Sequence, residues 1–426
     1  MTHYFDHEAP AILIRDAEVH APESLGRRDV LMHHGRVSAI ADRIDPVPPG
    51  TRVIEAEGRI LIPGFIDSHL HITGGGSIGA GPISREPEFT FGDIVAAGIT
   101  TAISPKGADS ISRSYEAMLQ KARALAAEGL DTRLWSNGFG NPPQSLTESV
   151  TRDLFLIPEF VGAKIALSDF LAPPWTPDEL HRLLWQVLSG SQMAGKLGII
   201  HVHAGILPGG LGVIEDVVHR YDFTGTDENA RHGASRSVGG HFQITHCNWN
   251  EGLLDETMRV TRLGGYADIT AGMPDRSGFG SEIPGDEAIM YLLREGVDAS
   301  RITISSDAGG NEAYLDEFRR VETLIRLIPP RIDEVFRNLI VRQGLSVGQA
   351  VRMASTNVAE MFDWPYKGRV MVGGAADLVL LDADYGVASV ITAGRLVVED
   401  GRVLESGLTS GDLELVRRTA REVEPA

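Results

Sequence analysis

From residue 62 to about residue 360, short apolar runs rich in β-branched residues alternate with longer stretches of mixed polarity. The runs are centred on Ile62 to Leu70, Gly98 to Ile103, Thr132 to Ser136, Val161 to Ala166, Leu197 to His203, His241 to His246, Gly265 to Thr270 and Arg301 to Ser306, eight in all. Near-continuous apolar runs of this length read as parallel strands buried on both faces. The stretches Ser112 to Gly129, Thr176 to Gly190 and Asp286 to Glu295 carry helical periodicity, with Pro177 as a start signal and Gly129 and Gly190 as stops. Alternation of this kind predicts a parallel sheet with helices outside, and eight units predict an α/β, TIM-like (β/α)8 barrel.

The two ends of the chain read differently. Residues 11–62 alternate short strands with turns at His34-Gly-Arg, Pro46 to Gly50 and Glu57-Gly, and a similar pattern returns at Asp377 to Asp382, Ser389 to Val398 and Gly401 to Leu404. These segments are expected to pair into one small β-sandwich built from both termini. The expected organisation is residues 1–61 and 361–426 in that sandwich, with a terminal helix over 408–423, and residues 62–360 in the barrel.

Composition narrows the function classes. A net charge of −19 opposes binding of nucleic acid or of an anionic membrane surface. The single cysteine, Cys247, can form no intrachain disulfide and reads as core packing. Asp6, His7 and Glu8 stand where a signal peptide would need a basic start, and no apolar run reaches spanning length, so a cytoplasmic protein is expected. The polar stretch Asp222 to Gly240 precedes a strand, which places it on the far face of the barrel as a subunit contact or disordered segment, in keeping with a homo-oligomer.

The candidate chemistry sits in or at the C-terminal ends of the barrel strands, where such barrels gather their active sites. His69 and His71 close the first run, Lys164 lies in the fourth, His203 in the fifth, His246 after the sixth and Asp307 after the eighth. Residues i and i+2 of a strand share a face, so His69 and His71 can grip one ion from the same side. Four histidines and a carboxylate suit zinc or a similar divalent ion with a position left open for water. Lysine as an ammonium has no lone pair to offer, so Lys164 needs modification before it can ligate. His201, two residues before His203, reads as a buried, hydrogen-bonded residue one layer deeper.

Pro63-Gly-Phe-Ile-Asp-Ser-His-Leu-His71 resembles the signature of the metal-dependent amidohydrolase superfamily. Within it, the chain is similar to isoaspartyl dipeptidases at His71-Ile-Thr-Gly-Gly-Gly, Asp109-Ser-Ile-Ser-Arg, Gly162-Ala-Lys-Ile-Ala-Leu-Ser-Asp and Ser305-Ser-Asp. The resemblance implies two divalent ions, most readily Zn2+: His69, His71 and Asp307 around the more buried one, His203 and His246 around the second. Lys164 would bridge them as a carbamate derived from CO2. It further implies that Asp307 is the general base of a metal-assisted hydrolysis.

The substrate-gripping positions of that family do not follow. Its glutamate, tyrosine and two arginines correspond here to Ile78, Phe139, Leu171 and Trp249, its serine near the eighth strand to Asn311 and its threonine after the second to Ala108. The Gly74-Gly75-Gly76 backbone remains as a possible donor, and Arg276 as a possible anchor for a substrate carboxylate. The replacements would line an apolar, partly aromatic pocket. The expectation is therefore a small-molecule amide with a bulky hydrophobic or aromatic part, in a peptide-like or N-acyl amino acid substrate. A genuine isoaspartyl dipeptidase, a cyclic amide or lactone hydrolase, and a non-catalytic metal-binding scaffold are the alternatives.

Overall fold

The computed structural model describes residues 11–76, 81–207, 209–221, 236–272 and 283–404. Eight parallel strands form one sheet in strict sequence order: Phe65–Asp67, Ile99–Ser104, Asp131–Ser136, Phe160–Leu167, Ile199–Ala204, Phe242–Thr245, Tyr266–Thr270 and Ile302–Ser305. They are called barrel strands 1 to 8 below. The ring closes just past the strand ends, where Leu70 bridges Ala308 and the His71 amide donates to the Ala308 carbonyl at 2.8 Å. The TIM-like barrel expected from the alternation is the observed fold. Its main core lies between the strands and the outer helices, around Leu134, Leu154, Phe160, Leu184, Phe242 and Phe336. No described helix is long and apolar enough to cross a membrane.

Helix Pro177–Met193 begins with a capping box, in which Thr176 and Glu179 satisfy each other's backbone donors, and has proline in its first turn. It does not stop at Gly190 as its pattern suggested. A Cβ there would lie 2.6 Å from the Thr151 carbonyl oxygen, so the glycine serves close packing against helix Val150–Leu156 inside a continuing helix. Helices Tyr115–Glu128 and Gly285–Arg294 do match their expected positions to within a few residues, and the first ends on Gly129 in the left-handed conformation. A hairpin absent from the sequence reading, Asn311–Leu315 with Val321–Arg326, stands after barrel strand 8.

Both ends of the described chain build a nine-stranded sheet with its own core around Ile12, Val30, Leu61, Leu378 and Ile391. It is one continuous, branched sheet: the start of Ile12–His20 pairs with Arg52–Glu55 and its end with Ile60 and Leu61. Ile60–Pro63 belongs to this sheet through Leu378–Leu381, and the chain passes into the barrel at Gly64. The terminal helix expected over 408–423 lies outside the described residues.

Candidate metal centre

Four strand ends turn sharply at the mouth. Asn137, Ser168, His246 and Asp307 follow barrel strands 3, 4, 6 and 8 and all have φ between 52° and 64°, a left-handed conformation costly for residues with a Cβ. Asp67 fixes two of the segments together. It accepts hydrogen bonds from the His69 amide at 3.0 Å, the Ser306 amide at 3.1 Å and the Ser306 hydroxyl, and so holds the stem of His69 beside that of Asp307. Complete burial pushes the Asp67 carboxyl up to about 7, against those hydrogen bonds.

His69, His71 and Asp307 converge. The Nε2 atoms of the two histidines are 3.1 Å apart, and each lies 3.2 Å from Asp307 Oδ1. Two imidazole nitrogens facing each other at that distance cannot both carry a proton, whereas three lone pairs so placed can all reach one dication at about 2.1 Å. Burial also drives His69 well below the ordinary imidazole range, with the Lys164 charge adding to the effect, so its ring is neutral and available. The residues fit a divalent ion. His71 is held by the Pro105 carbonyl, 3.2 Å from Nδ1, which leaves Nε2 to face the cluster.

Lys164, on barrel strand 4, is 1% exposed, and its Nζ lies 3.4 Å from His69 Nδ1. No carboxylate lies within salt-bridge distance of it among the described residues. Burial lowers its amine to about 7, outweighing the pull of Asp307 and Asp268, so much of it is neutral at neutral pH. His246 and His203 stand edge to face, ring centroids 4.5 Å apart. His246 Nδ1 pairs with Thr270 Oγ1 at 2.7 Å, and His203 Nε2 with Asp169 Oδ2 at 2.9 Å. Each ring therefore keeps one nitrogen free. Among the described residues only His69, His71 and Asp307 form a ready three-ligand cluster.

His201 is fully buried, stacked on Trp135 at 4.8 Å, and joined to Gln243 at 2.8 Å and His69 Nδ1 at 3.1 Å. It supports the cluster from below. Cys247 is buried with its thiol on the Asp268 carbonyl, but in a turn beyond the strand, because His246 has already left the extended conformation.

The expected pocket residues divide. Phe139 packs edge-on against His203 at 5.4 Å, and Trp249 against His246 at 6.1 Å. The Trp249 indole N–H is buried with no partner among the described residues. Leu171 is half-buried, its amide on Asp169 Oδ1. Asn311 donates to the Ser84 carbonyl at 2.8 Å and ties the hairpin to the loop after barrel strand 1. Ile78 and Arg276 lie outside the described residues.

The glycine loop needs correction. Gly74 donates to the His71 carbonyl and Gly75 to the Gly309 carbonyl, so neither amide is free for a ligand. A Cβ on Gly107 would sit 2.2 Å from Gly75 Cα, and one on Gly75 would lie 3.0 Å from both the Gly309 carbonyl oxygen and the His71 ring, so close approach explains glycine at each position.

Sequence reasoning gave no role to Asp169, Thr270 or Lys106. Asp169 meets His203 from a loop, and Thr270, the last residue of barrel strand 7, meets His246 only because His246 turns off the end of barrel strand 6. Lys106 lies between Pro105 and Gly107, nearly buried, its ammonium 4.3 Å from the Tyr115 ring centre. Asp67 was findable: it shares the strand-1 face of His69 and His71 by its spacing of two.

A parallel eight-stranded barrel with a buried His-His-Asp cluster at its C-terminal mouth and a buried lysine beside it is the architecture of a metal-dependent hydrolase. The model of the amidohydrolase family matches residues 60–397, and the chain belongs to that family. An adenine deaminase from Paracoccus denitrificans is 24% identical over 416 residues, 93% of this chain, which spans 59% of that relative's length. A dihydroorotase from Lactiplantibacillus plantarum is 22% identical, covering 88% of this chain and 89% of the relative. Among solved structures, a beta-aspartyl dipeptidase from Fervidobacterium islandicum in complex with beta-Asp-Leu dipeptide superposes with a TM-score of 0.81 at 28% identity, over 93% of this chain and all of that one. A D-hydantoinase shares the fold with a TM-score of 0.63 at 19% identity.

Proposed function

We propose that the protein is a binuclear metal-dependent hydrolase of an amide C–N bond, acting on a peptide-like or N-acyl substrate with a bulky apolar part. The observation that carries the reading is the 3.1–3.2 Å convergence of His69, His71 and Asp307 beside a buried, partly neutral Lys164. A neutral amine can add to CO2, releasing one proton to solvent, and the resulting carbamate would offer two oxygens sharing one negative charge to ions held by His69 and His71 and by His203 and His246. Two divalent ions held there, Zn2+ suiting the nitrogen-rich donor set, would supply Lewis acidity toward a carbonyl and acidify water. Asp307 Oδ2 points toward His246, 3.9 Å from its Nδ1, and stands where it can take a proton from water and return it to the leaving nitrogen. Phe139 and Trp249 flank the second histidine pair and, with Leu171 on the neighbouring turn, would offer apolar surface for the acyl or side-chain part.

Metal analysis of protein from metal-replete cells tests the centre. About two ions per chain are expected, and Lys164→Ala should lose the second ion and most activity, with partial recovery on adding a small carboxylic acid. One ion or none in the wild type, or full activity in the untreated variant, refutes it.

The resemblance to a beta-aspartyl dipeptidase structure favours a second reading, action on β-aspartyl dipeptides. Kinetics on β-Asp-Leu beside a hydrophobic N-acyl amino acid separate the two. Burial of an aromatic group is worth about 1.5–3 kcal/mol, so the apolar substrate should win by about one to two decades in kcat/KM. Efficient turnover of the dipeptide would establish the second reading instead.

A further inference from the structure

The two histidines assigned to the second ion differ in how they are held. Thr270 Oγ1 fixes His246 from the neighbouring strand, within the barrel wall. His203, on barrel strand 5, is held by Asp169 from the loop after barrel strand 4, its one side-chain hydrogen bond among the described residues being that of Nε2 with Oδ2 at 2.9 Å. The Asp169 carboxylate is itself fixed. Its other oxygen accepts the Leu171 amide at 2.8 Å, closing a tight turn that begins at Ser168 in the left-handed conformation.

The loop after barrel strand 4 is in turn fastened to the loop after barrel strand 5. The Ser168 hydroxyl donates to the Gly210 carbonyl at 3.0 Å, and the Leu207 amide donates to the Ser168 carbonyl at 2.9 Å. A Cβ on Gly205 would sit 2.3 Å from the Ser168 carbonyl oxygen, so only glycine lets the two loops approach this closely. Phe139 closes the remaining side of the His203 ring, edge to face at 5.4 Å. An imidazole gripped at one nitrogen by an acceptor carries its proton there and turns an unprotonated nitrogen the other way.

We propose that Asp169 is the positioning residue of the second metal site: it fixes the protonated nitrogen of His203 at Nε2 and presents Nδ1 as the ligand. The role rests on the binuclear reading above. In this arrangement the turn Ser168–Leu171 does two jobs at once. Its carboxylate sets the ring of His203, and two residues on it places Leu171, at the position where isoaspartyl dipeptidases carry a substrate-gripping arginine. The geometry of the second ion and that of the substrate pocket are thereby coupled through one turn.

Zinc competition titrations against a chelator, on the full chain, test the assignment. Asp169→Asn keeps the side-chain volume and an oxygen for the Leu171 amide but loses the carboxylate that His203 faces. It should bind the first zinc as the wild type does and the second about 10- to 100-fold more weakly. Asp169→Ala should behave alike, and the thermal midpoint of both metal-free variants should stay close to that of the metal-free wild type. A wild type that takes two zinc ions beside variants that bind both with unchanged affinity overturns the role of Asp169 alone. Variants with lowered metal-free stability and unchanged zinc affinities also overturn it, since that is a purely structural turn. A wild type that takes a single zinc ion defeats the binuclear reading itself.

Discussion

Asp307 illustrates what one residue carries at this site. Its Oδ1 stands 3.2 Å from both His69 Nε2 and His71 Nε2, while its Oδ2 looks toward His246, so one oxygen can ligate and the other is left for a proton. Asp307→Asn keeps the shape and a ligating oxygen but has no basic oxygen to spare. Turnover should fall by about 10²- to 10⁴-fold with the fold and the first ion retained, as measured by steady-state kinetics beside metal analysis. A variant with a tenth or more of wild-type turnover would move the base elsewhere. At this scale, the His-His-Asp cluster was legible because i, i+2 spacing and strand-end position both report direction. Asp169 was not legible as a partner of His203: it sits in a loop, and only the turn at Ser168 decides where a loop carboxylate points. The glycine amides were misread for a related reason. The Gly74 amide closes a local turn onto the His71 carbonyl three residues back, and the Gly75 partner, the Gly309 carbonyl, is set by barrel closure, which no local pattern encodes.

At the scale of elements, the barrel strands could be read because parallel strands buried on both faces leave an apolar signature several residues long. The hairpin after barrel strand 8 could not: Val321–Arg326 is half to fully exposed and carries glutamate and arginine, so it lacks the contrast a reader depends on. Gly190 misled because a packing glycine and a terminating glycine are the same letter. The short turn Val238–His241 that feeds barrel strand 6 shows an element end with an acid sensitivity of its own. His241 is buried, its Nδ1 bonded to the Gly198 carbonyl at 2.8 Å, and burial pushes its ring down to about 4. Below the ordinary value of about 6.5 the unfolded chain takes a proton that the folded chain refuses. The neutral ring's contribution is thus complete above that value and is lost as pH falls toward about 4. The total is on the order of 3 kcal/mol. His241→Gln should flatten that part of the acid limb in urea titrations run at several pH values. An unchanged slope between wild type and variant would show that the ring titrates freely in the fold.

The whole molecule is a barrel whose chemistry is at one end and whose attachment to the flanking sheet is at the other. Lys367 makes that attachment. Its ammonium lies 3.0 Å from Asp131 Oδ2 at the start of barrel strand 3, 3.1 Å from Thr101 Oγ1 on barrel strand 2, and 2.7 Å from Asp377 Oδ2, where the chain enters the flanking sheet. Burial opposes its charge, but the two carboxylates hold the amine above its ordinary range, and Lys367 with Arg133 holds Asp131 well below the carboxylate range. If the lysine goes, Asp131 keeps Arg133, which reaches both its oxygens at 2.7 and 3.3 Å, whereas Asp377 keeps, among the described residues, only the Ala393 amide. Lys367→Met keeps the apolar stem, leaves Asp131 to Arg133 and leaves Asp377 without a cationic partner among the described residues. The three side chains are only partly buried, so losing the lysine should cost about 1–3 kcal/mol, which should appear as a lowered urea midpoint. Because the junction lies at the opposite end of the strands from His69, His71 and Asp307, metal content and turnover of the folded variant should match the wild type. A midpoint within about 0.5 kcal/mol of wild type would mean that the junction is hydrated and that other ties, such as the Gly64 amide on the Asp377 carbonyl and the Thr392 hydroxyl on the Gly129 carbonyl, join the two parts without it.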